Sequence, residues 1–381
     1  MSTAASVQSP SKLFCFINDI KGLNWTTLTE EDVPQQDMRG KWVIITGANN
    51  GIGLETAKTL AKWGANLIFG CREPPKWETS PDVAVEQCLD LAKSAGHSSI
   101  VEWWPINMTD MDSIDAFAQK WLDTGRALDI LFNNAGMAPH SADEQLATKD
   151  GFQIVHQVNL LSHVLLTYRL LDSLAQSAAP RIVCSVSSKL FEGHFDPENM
   201  NRCEELPVHA RGHLYANNKL YLQTWIGEIQ RRFLLHEKYR HITINGTHPG
   251  FANSGIWNFS EKNNVTTYAG ALKKSINQFL VRNIGISIEQ ASFSLINLGT
   301  NPKFGPNPDL QGVGEQGASG GGNYFNRIWK EVQSPYCEDP ASRLQVWNKV
   351  NEELLSVREN LHTLDELNSR ARNTKAQFPT R

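Results

Sequence analysis

A chain of 381 residues, 40% hydrophobic and 20% charged, can bury a sizeable core as one large α/β domain or two smaller ones. Its formal net charge of -4 supplies no basic field for nucleic acid or anionic lipid, so no nucleic-acid partner is expected and a small molecule is the favoured ligand. The six cysteines form no C-x-x-C pair and no Cys/His set spaced for zinc, so they read as reduced thiols without a metal, and no run approaches the roughly 18 to 20 apolar residues that span a bilayer; the expected location is cytoplasmic.

Residues 1–38 are polar and read as an N-terminal extension ending in Glu30-Glu31-Asp32-Val33-Pro34. Within it, Leu13-Phe14-Cys15-Phe16-Ile17 is too short for a signal peptide and is expected to pack on the domain rather than on a membrane. Trp42-Val43-Ile44-Ile45, Asn66–Gly70, Ile100–Pro105, Leu128–Phe132, Arg181–Ser185 and Ile242–Thr247 read as strands, with amphipathic helices between them. Strands alternating with helices from residue 39 to about 358 imply one doubly wound α/β domain around a parallel sheet. Two long connections, about 189–214 and 251–282, interrupt the alternation and read as binding loops. Gly312–Gly322 reads as a flexible loop and 359–381 as a C-terminal tail.

The first strand runs into Thr46-Gly47-Ala48-Asn49-Asn50-Gly51-Ile52-Gly53 and then a helical segment. Such a turn offers backbone N–H groups and a positive helix terminus to a pyrophosphate, with glycines for the sharp turn, the close approach and the helix–sheet packing. A tight strand-to-helix turn without a ligand uses glycine too. Asn133-Asn134-Ala135-Gly136 follows another strand, where open α/β sheets bind ligands and where a plain turn also fits. Tyr215 and Lys219 stand four residues apart, on one helix face; a nearby ammonium lowers a phenol's pKa, although the same spacing is common in surface pairs. The strand Arg181–Ser185 continues to Ser187 and Ser188, hydroxyls that suit a substrate carbonyl or a turn cap.

In this order the glycine turn, Asn133-Asn134-Ala135-Gly136, Asn159 in Val158-Asn159-Leu160-Leu161-Ser162-His163, Ser188, Tyr215 with Lys219, and His248-Pro249-Gly250 resemble the short-chain dehydrogenase/reductase family, over about residues 39–356. The branch holding retinol dehydrogenases and carbonyl reductases is the nearest in pattern. The resemblance implies a Rossmann-type fold and an NADP(H)-dependent oxidoreductase acting on a ketone, an aldehyde or the corresponding alcohol. It implies catalytic roles for Tyr215 as acid/base, Lys219 as its modulator and ribose ligand, Ser188 as carbonyl ligand, with Ser187 the alternative, and Asn159 as holder of a relay water. It places Gly47, Asn49, Gly51, Ile52 and Gly53 at the pyrophosphate, Asn133, Ala135 and Gly136 by the adenosine ribose, and Pro249 and Gly250 by the nicotinamide. Asn107 stands where an acidic residue usually meets the adenine, and Asn218 where serine usually precedes the lysine. Arg72 after the second strand replaces the acidic residue of NAD-selective enzymes and suits a 2′-phosphate.

Aromatic and aliphatic residues in the two long connections, among them Leu190, Phe191, Phe195, Phe251, Trp257 and Phe279, suit a bulky lipophilic substrate, or simply pin the loops. Leu220, Leu222, Trp225 and Ile229 mark a stripe that fits a homodimer face or the core. The competing readings are a catalytically silent dinucleotide-binding regulator and a reductase recruited to a biosynthetic pathway.

Overall fold

The computed structural model describes residues 7–21, 27–75, 78–138, 147–201, 211–252, 285–306 and 320–364. Eight strands form one sheet in the order β3-β2-β1-β4-β5-β6-β7-β8. They are β1 (Trp42–Thr46), β2 (Asn66–Cys71), β3 (Val101–Pro105), β4 (Ile130–Asn133), β5 (Arg181–Ser185), β6 (Thr243–His248), β7 (Tyr324–Asn326) and β8 (Trp329–Glu331). All neighbours pair in parallel except β7 and β8. The strand order reverses between β1 and β4, so the loops after those two strands border the crevice in which doubly wound sheets bind ligands.

The central strands are short apolar runs because helices cover both of their faces. In β1, Val43 and Ile45 point into the core beneath α2 (Gly51–Lys62), α3 (Pro81–Ser94) and the helix Ile288–Thr300, whereas Ile44 points into the opposite core. That second core is built on α4 (Met111–Leu122), the helical segment running from α5 (Ile154–His156) through a π-turn (Gln157–Leu161) into α6 (Ser162–Leu174), and α7 (Arg211–Leu235). The C-terminal helix Pro340–Val357 lies outside α7. The Trp347 ring stacks on Trp225 with centroids 6.5 Å apart, and the Arg232 guanidinium lies 4.1 Å from the Trp347 ring.

Leu220, Leu222, Trp225 and Ile229 are fully buried, so of the two readings of this stripe the structure favours the core. The strands β7 and β8 are additional to the six read from the sequence; three residues each, they follow a glycine run and carry no alternation long enough to stand out.

The N-terminal extension is built onto the domain. Its helix α1 (Lys12–Lys21) sets Phe14 edge-on against Phe191, centroids 5.1 Å apart, while the Cys15 thiol donates to the Phe191 carbonyl at 3.3 Å. Leu13, Phe16 and Ile17 of the same run face outward. Among the described residues no helix is long and apolar enough to cross a membrane.

Because Trp347 is fully buried between Trp225, Tyr168 and the Arg232 stem, Trp347→Ala is expected to cost about 3–5 kcal/mol. Urea unfolding of the full chain, with the slope unchanged and the midpoint lowered, is the measurement that checks it.

Candidate active site

The turn after β1 is shaped by glycine where no side chain fits. Gly47 (φ 69°) and Gly51 (φ 57°) adopt left-handed backbone, and a Cβ on Gly53 would collide with the Gly47 carbonyl oxygen and the Asn134 amide. Asn50 caps α2 by accepting from the Gly51 N–H at 2.8 Å. Asn49 is buried and donates to the Thr79 carbonyl at 2.9 Å, so its side chain braces the turn from outside. Ile52 packs towards Ala252, Ile286 and Ala291, which brings the segment after Pro249-Gly250 beside the glycine turn. Gly250 (φ 103°) makes the bend that ends β6.

Thr46 ties this turn to the loop after β4. Its hydroxyl donates to the Phe132 carbonyl at 3.2 Å and accepts from the Asn134 and Ala135 N–H groups at 2.9 and 3.0 Å. The side-chain amide of Asn134 donates to the Thr46 carbonyl at 2.9 Å. Of the two asparagines it is therefore Asn134, absent from the sequence-derived set, that reaches the glycine turn. Asn133 turns inward and donates to the Thr167 hydroxyl at 3.0 Å. A pair of adjacent amides gives no signal of which one faces the crevice; strand alternation supplies it only once the end of β4 is known.

The catalytic candidates converge at the C-terminal edge of β4 and β5. Asn159 sits in the π-turn, a local widening that turns its side chain out of the helix and that is frequent at functional sites. Its Oδ1 accepts from the Met137 N–H at 2.9 Å and its Nδ2 donates to the Met137 carbonyl at 2.7 Å. Gly136 passes so close that a Cβ there would stand 3.2 Å from Asn159 Oδ1 and 3.8 Å from Lys219 Nζ. Lys219 is buried on α7, donates to the Ser185 carbonyl at 2.7 Å and lies 5.5 Å from the Tyr215 ring centroid. Burial lowers its pKa to about 8.

Tyr215 is buried as well, and burial raises its phenol to about 12; the influence that pulls it back is a hydrogen bond with Ser187. Desolvation outweighs the lowering expected from the nearby ammonium. Ser187, the alternative for the serine role, is thus the hydroxyl on the phenol. Ser188 instead donates to Asp19 Oδ1 at 2.7 Å, and Lys189 Nζ donates to Asp19 Oδ2 at 2.8 Å. The N-terminal helix α1 therefore places a carboxylate on the serine turn, a contact invisible in sequence because 169 positions separate the partners.

The remaining candidates lie at the rim. Arg72 is exposed after β2 and pairs with Glu78 at 2.8 Å. Asn107 accepts from the Thr109 N–H and hydroxyl at 3.0 and 2.9 Å, so its Oδ1 serves its own turn. Leu190 and Phe191 are core residues, and Phe195 stacks on Tyr336 with centroids 4.5 Å apart; these three pin their connection. Trp257 and Phe279 lie outside the described residues.

A glycine turn at the reversal point of a doubly wound parallel sheet, with a buried Tyr/Ser/Lys/Asn cluster beside it, defines a dinucleotide-binding α/β fold. Comparisons with known proteins agree. The family model described as short chain dehydrogenase matches residues 41–195. Human retinol dehydrogenase 13 is 29% identical over 327 residues, 84% of this chain and 87% of that protein. Mouse retinol dehydrogenase 14 is 30% identical over 319 residues, 82% of this chain and 85% of that protein. A solved protein from Mycobacterium paratuberculosis, described as putative and uncharacterized, shares the fold with a TM-score of 0.57 at 21% identity, covering 86% of this chain and 97% of its own. A short chain dehydrogenase from Shigella flexneri, solved in complex with NADP, does so with a TM-score of 0.52 at 18% identity, covering 77% and 99%. The chain belongs to the short-chain dehydrogenase/reductase family and is an oxidoreductase of that family.

Since Ser187 is hydrogen-bonded to the phenol and the Ser188 hydroxyl is engaged by Asp19, Ser187→Ala is expected to lower kcat about a hundredfold, the scale of losing one donor at a developing oxyanion. Ser188→Ala should cost much less. Steady-state rates of the two variants on one carbonyl substrate compare them directly.

Proposed function

We propose that this chain uses NADP(H) to reduce a bulky, mostly apolar ketone or aldehyde, or to oxidise the matching alcohol. The observation that carries the reading is the single buried cluster of Tyr215, Ser187, Lys219 and Asn159 opening beside the glycine turn. A nicotinamide dinucleotide, when bound, supplies the hydride chemistry. Gly51, where an added Cβ would meet no protein atom within 4 Å, leaves open the close approach that such a group needs, and the N-terminus of α2 fits its phosphates.

With its pKa raised to about 12, the Tyr215 phenol stays protonated across the physiological range and can donate to a carbonyl oxygen in the reductive direction. Ser187 fixes the direction of that hydroxyl and offers its own to the same oxygen. Lys219 brings a positive charge to whichever ribose hydroxyls or phenolate oxygen face it. Asn159, with both amide groups on the Met137 backbone, holds the loop wall against which Lys219 rests and is the residue we assign to the proton relay.

Two features support the finer choices. Arg72 carries a guanidinium where an NAD-selective site would carry a carboxylate, and its partner Glu78 would share it with a 2′-phosphate. The relatives include retinol dehydrogenases, whose named substrate is a long apolar alcohol, and the segment 251–282 is rich in aromatic residues.

The test is turnover of purified protein with NADPH over a series of carbonyls of increasing apolar size. Efficiency should rise with size, and Tyr215→Phe should abolish turnover while sparing nucleotide binding. Equal rates across the series would remove the lipophilic assignment, and no turnover of any carbonyl would favour a silent dinucleotide-binding regulator.

A guanidinium hydrogen-bonded to phosphate is worth about 1.5–3 kcal/mol, so Arg72→Ala should lower kcat/KM for NADPH about tenfold or more and leave NADH almost unchanged. Glu78→Gln, which frees the guanidinium, should move the NADPH/NADH ratio the other way. Lys219 is charged below a pKa of about 8 and neutral above it, so nucleotide affinity should weaken as pH rises from 7 to about 9. Titration of NADPH fluorescence checks this, with Lys219→Met expected to be weak and flat across the same interval.

A further inference from the structure

The buried polar groups behind the catalytic helix include one set that the chemistry above does not use. His156, the last residue of α5, is fully buried. Its Nδ1 lies 2.7 Å from Asn218 Oδ1 and its Nε2 lies 2.7 Å from Glu353 Oε2 of the C-terminal helix. Asn218 and Glu353 are themselves buried. The orientation of the Asn218 amide is settled by its other end, which donates from Nδ2 to the Leu214 carbonyl at 2.8 Å, so the oxygen must face the histidine. Both ring nitrogens are thus engaged, Nδ1 with the Asn218 amide oxygen and Nε2 with the Glu353 carboxyl group.

The positions of the three partners give this set its meaning. His156 immediately precedes the π-turn that presents Asn159. Asn218 is the neighbour of Lys219, and the Leu214 carbonyl it holds belongs to the peptide leading into Tyr215. A one-residue slip or a small rotation between the two helices would separate Asn159 from Lys219, which now face each other across Gly136. A buried ring held at both nitrogens tolerates only one geometry, because any displacement leaves a buried polar group unpaired. Glu353 Oε1 is buried without a hydrogen-bond partner among the described residues, which makes the pair a costly way to add stability and a strict way to fix position.

We propose that His156 is a positioning residue, clamped by Glu353, that sets the register between the π-turn carrying Asn159 and the helix carrying Tyr215 and Lys219. The C-terminal helix is on this view part of the catalytic apparatus, although no atom of it need touch substrate. The inference rests on the carbonyl-reducing reading for its kinetic consequence, but not for its structural one.

The experiment compares His156→Phe, Glu353→Leu and Glu353→Gln in the full chain, at a temperature where circular dichroism shows each folded. Removing the clamp with His156→Phe should lower kcat at least about tenfold and leave the KM for the carbonyl within about twofold, since misplacement of catalytic groups by a fraction of an ångström acts on the reacting geometry. Glu353→Leu should behave alike, and Glu353→Gln, which keeps an acceptor for Nε2, should restore most of the rate. Amide hydrogen exchange of peptides covering 154–162 and 211–220, measured without substrate, should quicken in the first two variants and not in the third. Folded His156→Phe and Glu353→Leu proteins with wild-type kcat and wild-type exchange would overturn the proposal. If the wild type turns over no carbonyl, the functional reading fails, and the exchange comparison alone still decides whether the clamp exists. Should His156→Phe not fold, the two Glu353 variants carry the same decision.

Discussion

The structure turns on one buried cation. Lys219 lies on α7 with its ammonium donating to a backbone carbonyl, and among the described residues it has no carboxylate partner. Its ionisable surroundings are held neutral by the same burial: the His163 imidazole is pushed down to about 4, the Cys184 thiol up to about 12, and the Tyr215 phenol up to about 12. Desolvating a charge without a counter-charge is expensive, and burial accordingly lowers the lysine to about 8. A site of this kind gains most from a ligand rich in oxygen, or from negative charge developing on the phenol. The neutral wall keeps the cation unspent for that purpose.

Holding such a group in place takes a rigid frame. The Thr46 hydroxyl joins the ends of β1 and β4, Asn159 closes the Met137 backbone, and His163 presents Nε2 to the Ala135 carbonyl at 2.7 Å while its Nδ1 remains buried without a hydrogen-bond partner among the described residues. A neutral histidine that uses one nitrogen on a loop carbonyl adds no second charge beside Lys219. The frame is thus electrostatically quiet, and its polar groups act through hydrogen bonds to backbone.

Much of this was legible in the sequence, for identifiable reasons. The strands β1, β2, β4 and β5 are buried nearly throughout and therefore show as short, mainly apolar runs bounded by turns, and the glycine turn shows because left-handed backbone and a close carbonyl leave no other residue that fits. Tyr215, Lys219 and Asn159 stand out by their order along the chain, and the fold brings them together. What sequence could not show depends on contacts between distant segments. The pairing of Ser187 with the phenol, the inward turn of Asn133 and the hold of Asp19 on Ser188 are all decided by which way a side chain rotates at a strand end, where adjacent residues of the same type give identical signals. The packing of the helix Pro340–Val357 on α7, with Trp347 stacked on Trp225, is likewise a contact between distant segments.

The helices Lys12–Lys21 and Pro340–Val357 each bring a carboxylate to an element that carries the site. The N-terminal helix brings Asp19 to the serine turn after β5, where its carboxylate takes the Ser188 hydroxyl and the Lys189 ammonium together. The Ser188 hydroxyl is thereby engaged by Asp19, while Ser187 is hydrogen-bonded to the Tyr215 phenol. The C-terminal helix brings Glu353 to the back of α7. Neither carboxylate forms an ion pair with Lys219, which preserves the charge on which the site depends, while each fixes an element that carries one of its partners. In this chain the terminal segments are where the geometry of the common dinucleotide fold becomes specific.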